Sequence, residues 1–342
     1  MTRIRPLMGY ISPLIVGAIL CAIGPLLGDY YQNIFVLIFI WGFLATGWNV
    51  LGGYCGQHSL GHGLYMGLGA YFAAFFFNRW TLTPWIGLFL ALGIAGLVAW
   101  FIGWVMFRWQ VKAAYFALVT IALTEMAVYV VSNVSSFGGA GGILENVKSG
   151  FLWMQTDSKL IYYFGGVALV VFGLLFTQFY SRQRFFYYLQ AIRENDEAAE
   201  ALGVDTVKEK IKANVVSAVL CALGGVFYVQ YYLFVAPRSV FGETVSVQIL
   251  LFAIIGGLST VWGPLVGAAV LVPIGEFSRS NLGTVFQGAD LLIYGAIMVL
   301  VMLFMPFGIL GVARRVQRRY FRRNAPPAMP AVASTAAEGG DV

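Results

Sequence analysis

The segment QAIRENDEAAEALGVDTVKEKIKANVVSA, Gln190–Ala218, sets a dense run of charge inside an otherwise apolar chain. Between Arg182 and Lys212 stand six basic and six acidic residues, one third of all the charges in the protein. Each would cost roughly 2.5–3.5 kcal/mol at the centre of a membrane helix, so this segment faces water. Around it the composition is reversed. Of 342 residues 60% are hydrophobic and only 11% charged, whereas a water-soluble domain carries about 25% charged residues. Apolar runs of 17 or more residues recur at Ile11–Leu27, Ile34–Gly52, Gly61–Phe77, Pro84–Phe107, Ala113–Ser132, Leu160–Tyr180, Ala213–Phe234 and Asp290–Gly311. Each is long enough to cross a hydrocarbon core of about 30 Å as a helix, and helices satisfy their own backbone groups, as lipid requires. The expected fold is an all-α polytopic membrane protein.

Lysine and arginine concentrate in cytoplasmic loops. Arg3 and Arg5 place the N-terminus in the cytoplasm, and six arginines from Arg314 to Arg323 place the C-terminus there too. The number of crossings is therefore even. The first run is expected to stay as an uncleaved helix, because no small-residue cleavage site precedes Gly28-Asp29. Val247–Phe277 must enter and return, with GGLSTVWGPLVG (Gly256–Gly267) supplying the glycine and proline for a reversal. Two short helices there make ten spans; a re-entrant hairpin makes eight and a hairpin. On the ten-span count sixteen basic residues lie inside and five outside. Arg193 and Arg318 fall in the cytoplasm, Lys148 and Arg238 outside. Ten spans divide into two inverted five-helix halves, a common transporter plan. Residues 1–324 then form one membrane domain with a cytoplasmic loop at 182–212, and 325–342, rich in Ala and Pro, form a disordered tail. Cys21, Cys55 and Cys221 lack metal-like spacing and are expected to be small core residues.

Inside the charged loop, Asn195 or Asp196 is placed to cap a short helix, with Glu197 and Glu200 near its positive end. Gly203 is a natural stop. Thr206 and Glu209 form a T-x-x-E capping box opening the next membrane helix. The product is a two-turn helix, EAAEAL, between two spans. Small side chains at Ala198 and Ala199 allow a partner to approach, and the flanking Arg193, Glu194 and Asp196 offer charge to fix its register. The plainer alternative is a solvated connector, but connectors in bundles usually run about 2–8 residues and this loop is far longer.

Four blocks together resemble one family. AIRENDEAAEALGVDTVKEKIKANVVSA (Ala191–Ala218) is similar to the cytoplasmic coupling loop of the branched-chain amino acid ABC permease family, LivM type. NVLGGYCGQHSLGHGLYMGLGAY (Asn49–Tyr71) resembles its first-half signature. IIGGLSTVWGPLVGA (Ile254–Ala268) resembles its Gly-Pro turn, with Ser259 at a position usually glycine, and SSFGGAGGI (Ser135–Ile143) resembles its glycine-rich external loop. The resemblance implies an inner-membrane permease core, paired with a sister permease subunit, carrying two ABC ATPase subunits and fed by a periplasmic binding protein. It implies no cofactor, metal or nucleic acid in this chain. Related permeases are assigned to leucine, isoleucine and valine, and also to urea, amides and aromatic acids.

On that resemblance Arg193, Glu194, Asp196, Glu197, Ala198, Ala199 and Gly203 are candidates for ATPase coupling. Gly56, Gln57, Ser59, His62 and Glu125 are candidates for the translocation pathway. The glycines also fit close helix packing, and the three polar side chains also fit hydrogen bonds across helices. Glu125 sits mid-run in ALVTIALTEMAVYV, where an acid is costly and either paired or functional. His58 and His62 are four apart, but no acid or cysteine nearby completes a metal set.

No G-x-x-x-x-G-K-[ST] loop occurs, so the chain does not itself hydrolyse ATP by that route. No H-E-x-x-H or G-x-S-x-G motif marks an intramembrane enzyme either. An ion-coupled secondary carrier, using Glu125 as its ion site, is the alternative. It leaves the charged loop without a role.

Overall fold

The computed structural model describes residues 4–148, 150–156, 158–282, 295–296, 299 and 308–311. Most of the Asp290–Gly311 run, the arginines from Arg314 to Arg323 and the expected tail at 325–342 lie outside the described residues. Among the described residues the regular structure is helical apart from a two-stranded ribbon with two residues in each strand. In chain order the helices are α1 (Ile4–Ile23), α2 (Asp29–Trp48), α3 (His62–Trp80), α4 (Pro84–Arg108), α5 (Ala113–Asn133) and α6 (Lys159–Tyr180). Then follow α7 (Arg184–Glu194), α8 (Asp196–Ala201), α9 (Thr206–Tyr232), α10 (Pro237–Val240), α11 (Glu243–Gly256) and α12 (Gly263–Leu282). Six described stretches are long and apolar enough to cross a membrane: Asp29–Tyr54, Pro84–Arg108, Ala113–Asn133, Lys159–Tyr180, Thr206–Tyr232 and Pro237–Gly256. The ten-span plan also counts α3, the shorter apolar helices Ile11–Leu26 and Gly263–Ser278, and the C-terminal run.

Burial separates the helices into a centre and a rim. The most apolar window of Asp29–Tyr54 is 83% buried, against 33% for α4 and 28% for α5. A helix apolar all round belongs in a core or in lipid, and the chain uses both options. On the rim, Phe89, Leu97, Phe101, Leu118, Met126 and Tyr129 point away from the protein, which in a bilayer is contact with lipid rather than with water.

Lipid tails are as apolar as leucine, so helices associate there through close packing and polar bonds. The α3–α9 contact shows both. A Cβ on Gly69 would lie 2.1 Å from the Ala222 carbonyl oxygen, and one on Gly225 would lie 2.1 Å from that of Met66. Nearby, the buried Asn214 donates from Nδ2 to the Ala99 carbonyl at 2.7 Å and accepts from the Tyr65 hydroxyl at 3.2 Å, knitting α3, α4 and α9. Cys55 and Cys221 are buried and unpaired, while Cys21 is exposed.

Two features interrupt this bundle. Helix α2 runs on into a π turn, Asn49–Tyr54, after which the chain is irregular until His62. Helices α11 and α12 flank a second irregular stretch, 257–262, and pack along each other. The expected reversal is thus found inside the Gly256–Gly267 block. At the end of α6 remote from the charged segment, β1 (Ile143–Leu144) pairs antiparallel with β2 (Phe234–Val235).

Candidate functional site

The first break brings two helix starts together deep in the bundle. Over residues 55–61 the backbone leaves the helical ladder, so its polar groups need other partners. Trp48 Nε1 donates to the Ser59 carbonyl at 2.8 Å, the Gly61 N–H donates to Ser59 Oγ at 3.2 Å, and the Leu60 N–H donates to Thr120 Oγ1 at 3.1 Å. The Gly63 N–H in the first turn of α3 donates to Ser246 Oγ, in the first turn of α11, at 2.8 Å. The Glu243 N–H at the start of α11 donates to Glu125 Oε1 at 3.3 Å. Helices α3 and α11 therefore begin side by side against the middle of α5. The Glu125 side chain thus sits at the N-terminus of α11, the positive end of its dipole.

The second break closes onto the first at the other end of α11. Asn49, 1% exposed, donates from Nδ2 to the Thr260 carbonyl at 3.0 Å and accepts from the Ser259 N–H at 3.0 Å. One amide side chain thus satisfies two backbone groups of the reversal. Ser259 Oγ donates to the Gly53 carbonyl at 2.7 Å. Arg193, near the end of α7, donates from Nη1 to the same carbonyl at 3.0 Å and also to Ser259 Oγ. Gly56, at φ +75°, leaves room for the Arg193 stem: a Cβ there would meet Arg193 Cγ at 2.9 Å.

The charged segment folds into two short helices and the start of a long one. Phe186, Leu189 and Ile192 are buried along one face of α7, and the Phe186 ring lies 4.6 Å from that of Tyr54. Helix α8 opens on Asn195, whose Oδ1 accepts from the Ala198 N–H at 2.9 Å. It closes on Gly203 at φ +87°, with Gly203 N–H to Glu200 O at 2.9 Å and Val204 N–H to Ala199 O at 3.1 Å, the two bonds of a Schellman motif. The expected Thr206–Glu209 box is replaced. Asp205 caps α9, its Oδ1 accepting from the Lys208 N–H at 3.0 Å, and Glu209 pairs with Lys212 at 2.6 Å. Asp205 wins because an N-terminal cap needs a non-helical backbone, and Thr206 is already helical. Lys210 pairs with Asp196, tying α8 to α9.

The sequence candidates fall into three places. Arg193 and Gly56 meet at the junction of the two breaks. Glu194, Glu197 and Ala198 are exposed, whereas Ala199, expected beside Ala198 on the outer side, turns inward and is 3% exposed. Ser59 and His62 are buried within the chain. His62 Nε2 lies 2.7 Å from Ser217 Oγ, which itself donates to the Gly47 carbonyl at 2.7 Å. Ser217 is thereby the acceptor for His62, and the hydrogen-bond pattern assigns the ring proton to Nε2. His58 is exposed, and the His58 and His62 rings lie 6.3 and 6.2 Å from the Trp48 ring. Gln57 is half-buried beside them. Among the described residues no group of three or more metal-ligating side chains converges.

Several contributors escaped the motif reading. Asn49 carried a signal, a polar residue closing an apolar run. Leu202 carried none, and its 85% exposure beside α8 follows from the turn geometry alone. At the opposite end, Glu145 is 2% exposed and accepts from Gln155 Nε2 at 3.2 Å and from Gln230 Nε2 at 3.0 and 3.1 Å. Gln155 and Gln230 also border a cavity of about 310 Å³ shared with Trp85, Met154, Tyr162 and Phe227.

Burial pushes the Glu145 carboxyl up to about 7, against the opposing pull of hydrogen bonds from Gln155 and Gln230. Its folded pKa thus exceeds its ordinary value of 4.5. The stability it contributes is complete below that value and is lost as the pH rises through about 7, a swing of about 3 kcal/mol. Glu145→Gln keeps an acceptor for the two glutamines and adds a donor for Gln230 Oε1, which has no partner among the described residues. Thermal midpoints in detergent between about pH 5 and pH 8 should fall with pH in the parent and stay flatter in the variant. Equal slopes would refute the assignment.

Two helix starts thus meet against the middle of α5, the two chain breaks share a polar junction, and a capped, solvated helix leads into that junction. The family model described as "Branched-chain amino acid transport system / permease component" matches residues 30–302. The chain belongs to this permease family. It is 26% identical over 306 residues to the high-affinity branched-chain amino acid transport system permease protein LivM of Salmonella typhimurium, covering 82% of this chain and 70% of that one. It is 24% identical over 290 residues to the LivH permease protein of the same organism, covering 78% and 90%. A probable LivH of Methanocaldococcus jannaschii is 23% identical over 265 residues, covering 73% and 82%. No solved structure matches the chain.

Proposed function

We propose that this chain is the membrane-spanning subunit of an ABC importer, forming one wall of the path for branched-chain amino acids. It pairs with a second, LivH-like permease subunit, carries two ATPase subunits at the charged end, and receives solute from a periplasmic binding protein at the other. The observation that carries this reading is α8. A capped six-residue helix stands in the most charged segment of the chain, tied by an ion pair to α9, with Glu197, Ala198 and Leu202 facing outward. Such a helix fits a groove on a soluble partner. The path itself follows the breaks. Irregular backbone at membrane depth is tolerated only against protein or a water-lined cavity, and Gln57, His58, Glu125 and Glu243 leave this chain only partly covered there. The subunit is read as ten spans in two inverted five-helix halves, as the division of basic residues between the two sides suggests. The Glu125 bond to the α11 N-terminus weighs against the ion-coupled carrier, because it supplies that acid with a structural partner.

The orientation is testable in intact cells. In a background lacking the native cysteines, Lys148→Cys and Arg238→Cys should react with an impermeant thiol reagent, while Glu197→Cys and Arg318→Cys should not. Labelling at position 197 from outside would overturn the reading. The cargo test is direct: leucine, isoleucine and valine should each stimulate uptake by the reconstituted complex, and stimulation by urea or amides alone would reassign the cargo.

A further inference from the structure

Arg193 joins three parts of the fold that no sequence motif connects. It lies two residues before the cap of α8, and its guanidinium reaches the Gly53 carbonyl at the end of the α2 π turn and Ser259 in the α11–α12 reversal. Ser259 itself is held at φ +55°, a left-handed conformation that disfavours a side chain. A residue kept in such a conformation is over-determined by its surroundings, and this strain is often tied to function. Here the side chain has a use. Its hydroxyl donates to the Gly53 carbonyl and accepts from Arg193, so one Ser–Arg pair clamps both breaks to the foot of α8. Gly56 completes the seat by leaving space for the Arg193 stem.

We propose that Arg193 and Ser259 form a latch that holds the two helix breaks together at the charged end, and that displacement of α8 releases it to open the path. Arg193 is a positioning residue: it acts through the breaks and does not touch solute. The source of the displacement, an ATPase seated on α8, rests on the importer reading; the latch geometry does not. In this arrangement a movement of α8 draws directly on the Gly53 carbonyl and the reversal, with no intervening loop to absorb it. Arginine suits the role because its rigid planar group presents several donors at once.

The test uses Arg193→Gln, Arg193→Lys, Ser259→Gly and the Gln/Gly double variant. Ser259→Gly removes the hydroxyl while relieving the left-handed strain, so loss of function in it is not explained by misfolding. In the reconstituted importer complex, Ser259→Gly should retain ATPase subunits and hydrolysis, and the effect of Arg193→Gln is read per ATP that its complex hydrolyses. Solute moved per ATP should fall roughly tenfold, a usual size for coupling between linked sites, and Arg193→Lys should recover part of it. The double variant should be no worse than the poorer single one. Wild-type solute-to-ATP ratios in Ser259→Gly and Arg193→Gln would overturn the latch. Thermal midpoints of the purified full chain give an arm that needs no partner: the two substitutions should be non-additive, and additive shifts would also overturn it. Failure of the parent chain to retain any ATPase subunit would instead refute the importer reading, with the midpoint cycle still deciding the latch.

Discussion

Arginine in place of Ala198 should abolish ATPase recruitment while leaving the membrane bundle intact. Ala198 is exposed on α8 and its only bond to the cap is through the backbone N–H, so a long side chain there meets solvent in the isolated subunit. Its neighbours Glu194, Glu197 and Glu200 make this face acidic, and a partner groove that accepts it has the opposite charge. A cation placed at the contact would be buried without a counter-charge, which costs about 2–5 kcal/mol, or about thirtyfold or more in affinity. Co-purification of the ATPase and binding-protein-stimulated uptake should both collapse, with membrane yield and thermal midpoint unchanged. Wild-type recruitment in this variant would make α8 a passive connector. Ala199 is the wrong place for the same experiment, because it packs inward and a charge there would disturb the subunit itself.

Asn49→Ala is expected to have the larger effect on stability. Its amide answers the Ser259 N–H and the Thr260 carbonyl at once, in a site that is 1% exposed. Removing it strands two backbone groups, each costing about 1–3 kcal/mol when left unsatisfied, on top of a small cavity. The reversal at 257–262 would lose its attachment to the π turn of α2. The expected outcome is a thermal midpoint several degrees lower and reduced membrane yield. Asn49→Asp should restore only the half of the interaction that accepts from Ser259. A parental midpoint in Asn49→Ala would show that the two breaks are held by other contacts.

The two experiments separate what the chain needs to fold from what it needs to work. Asn49 joins break to break; Ala198 faces outward. Arg193 lies between them, two residues before the cap of α8 and bonded to both breaks.

The charged segment, the apolar runs and the glycine-rich blocks were legible because each follows from a local rule. Charge excludes a segment from hydrocarbon, apolar length sets a span, and Gly203 stops a helix through its own φ. The helix EAAEAL, with its cap at Asn195 or Asp196, and the reversal within Gly256–Gly267 followed from those rules, whereas the permease family was read from the resemblance of four sequence blocks. The Thr206–Glu209 box did not, because the choice between adjacent capping residues depends on backbone angles that a motif does not record. Ala199 and Ala198 looked alike in sequence, and only the packing of α8 on its own bundle separated them. The Ser59 bond to Gly61 is local, but those of His62 to Ser217 and of Glu125 to Glu243 are set by which helices cross. So are the meeting of Asn49 with Ser259, 210 residues apart in the chain, and the burial that raises Glu145. Sequence alone determined which segments avoid water and where helices break, since both are properties of a few neighbouring residues. Tertiary structure decided which breaks touch and what clamps them, since in lipid helices are sorted by close packing and scattered polar bonds rather than by apolar pattern.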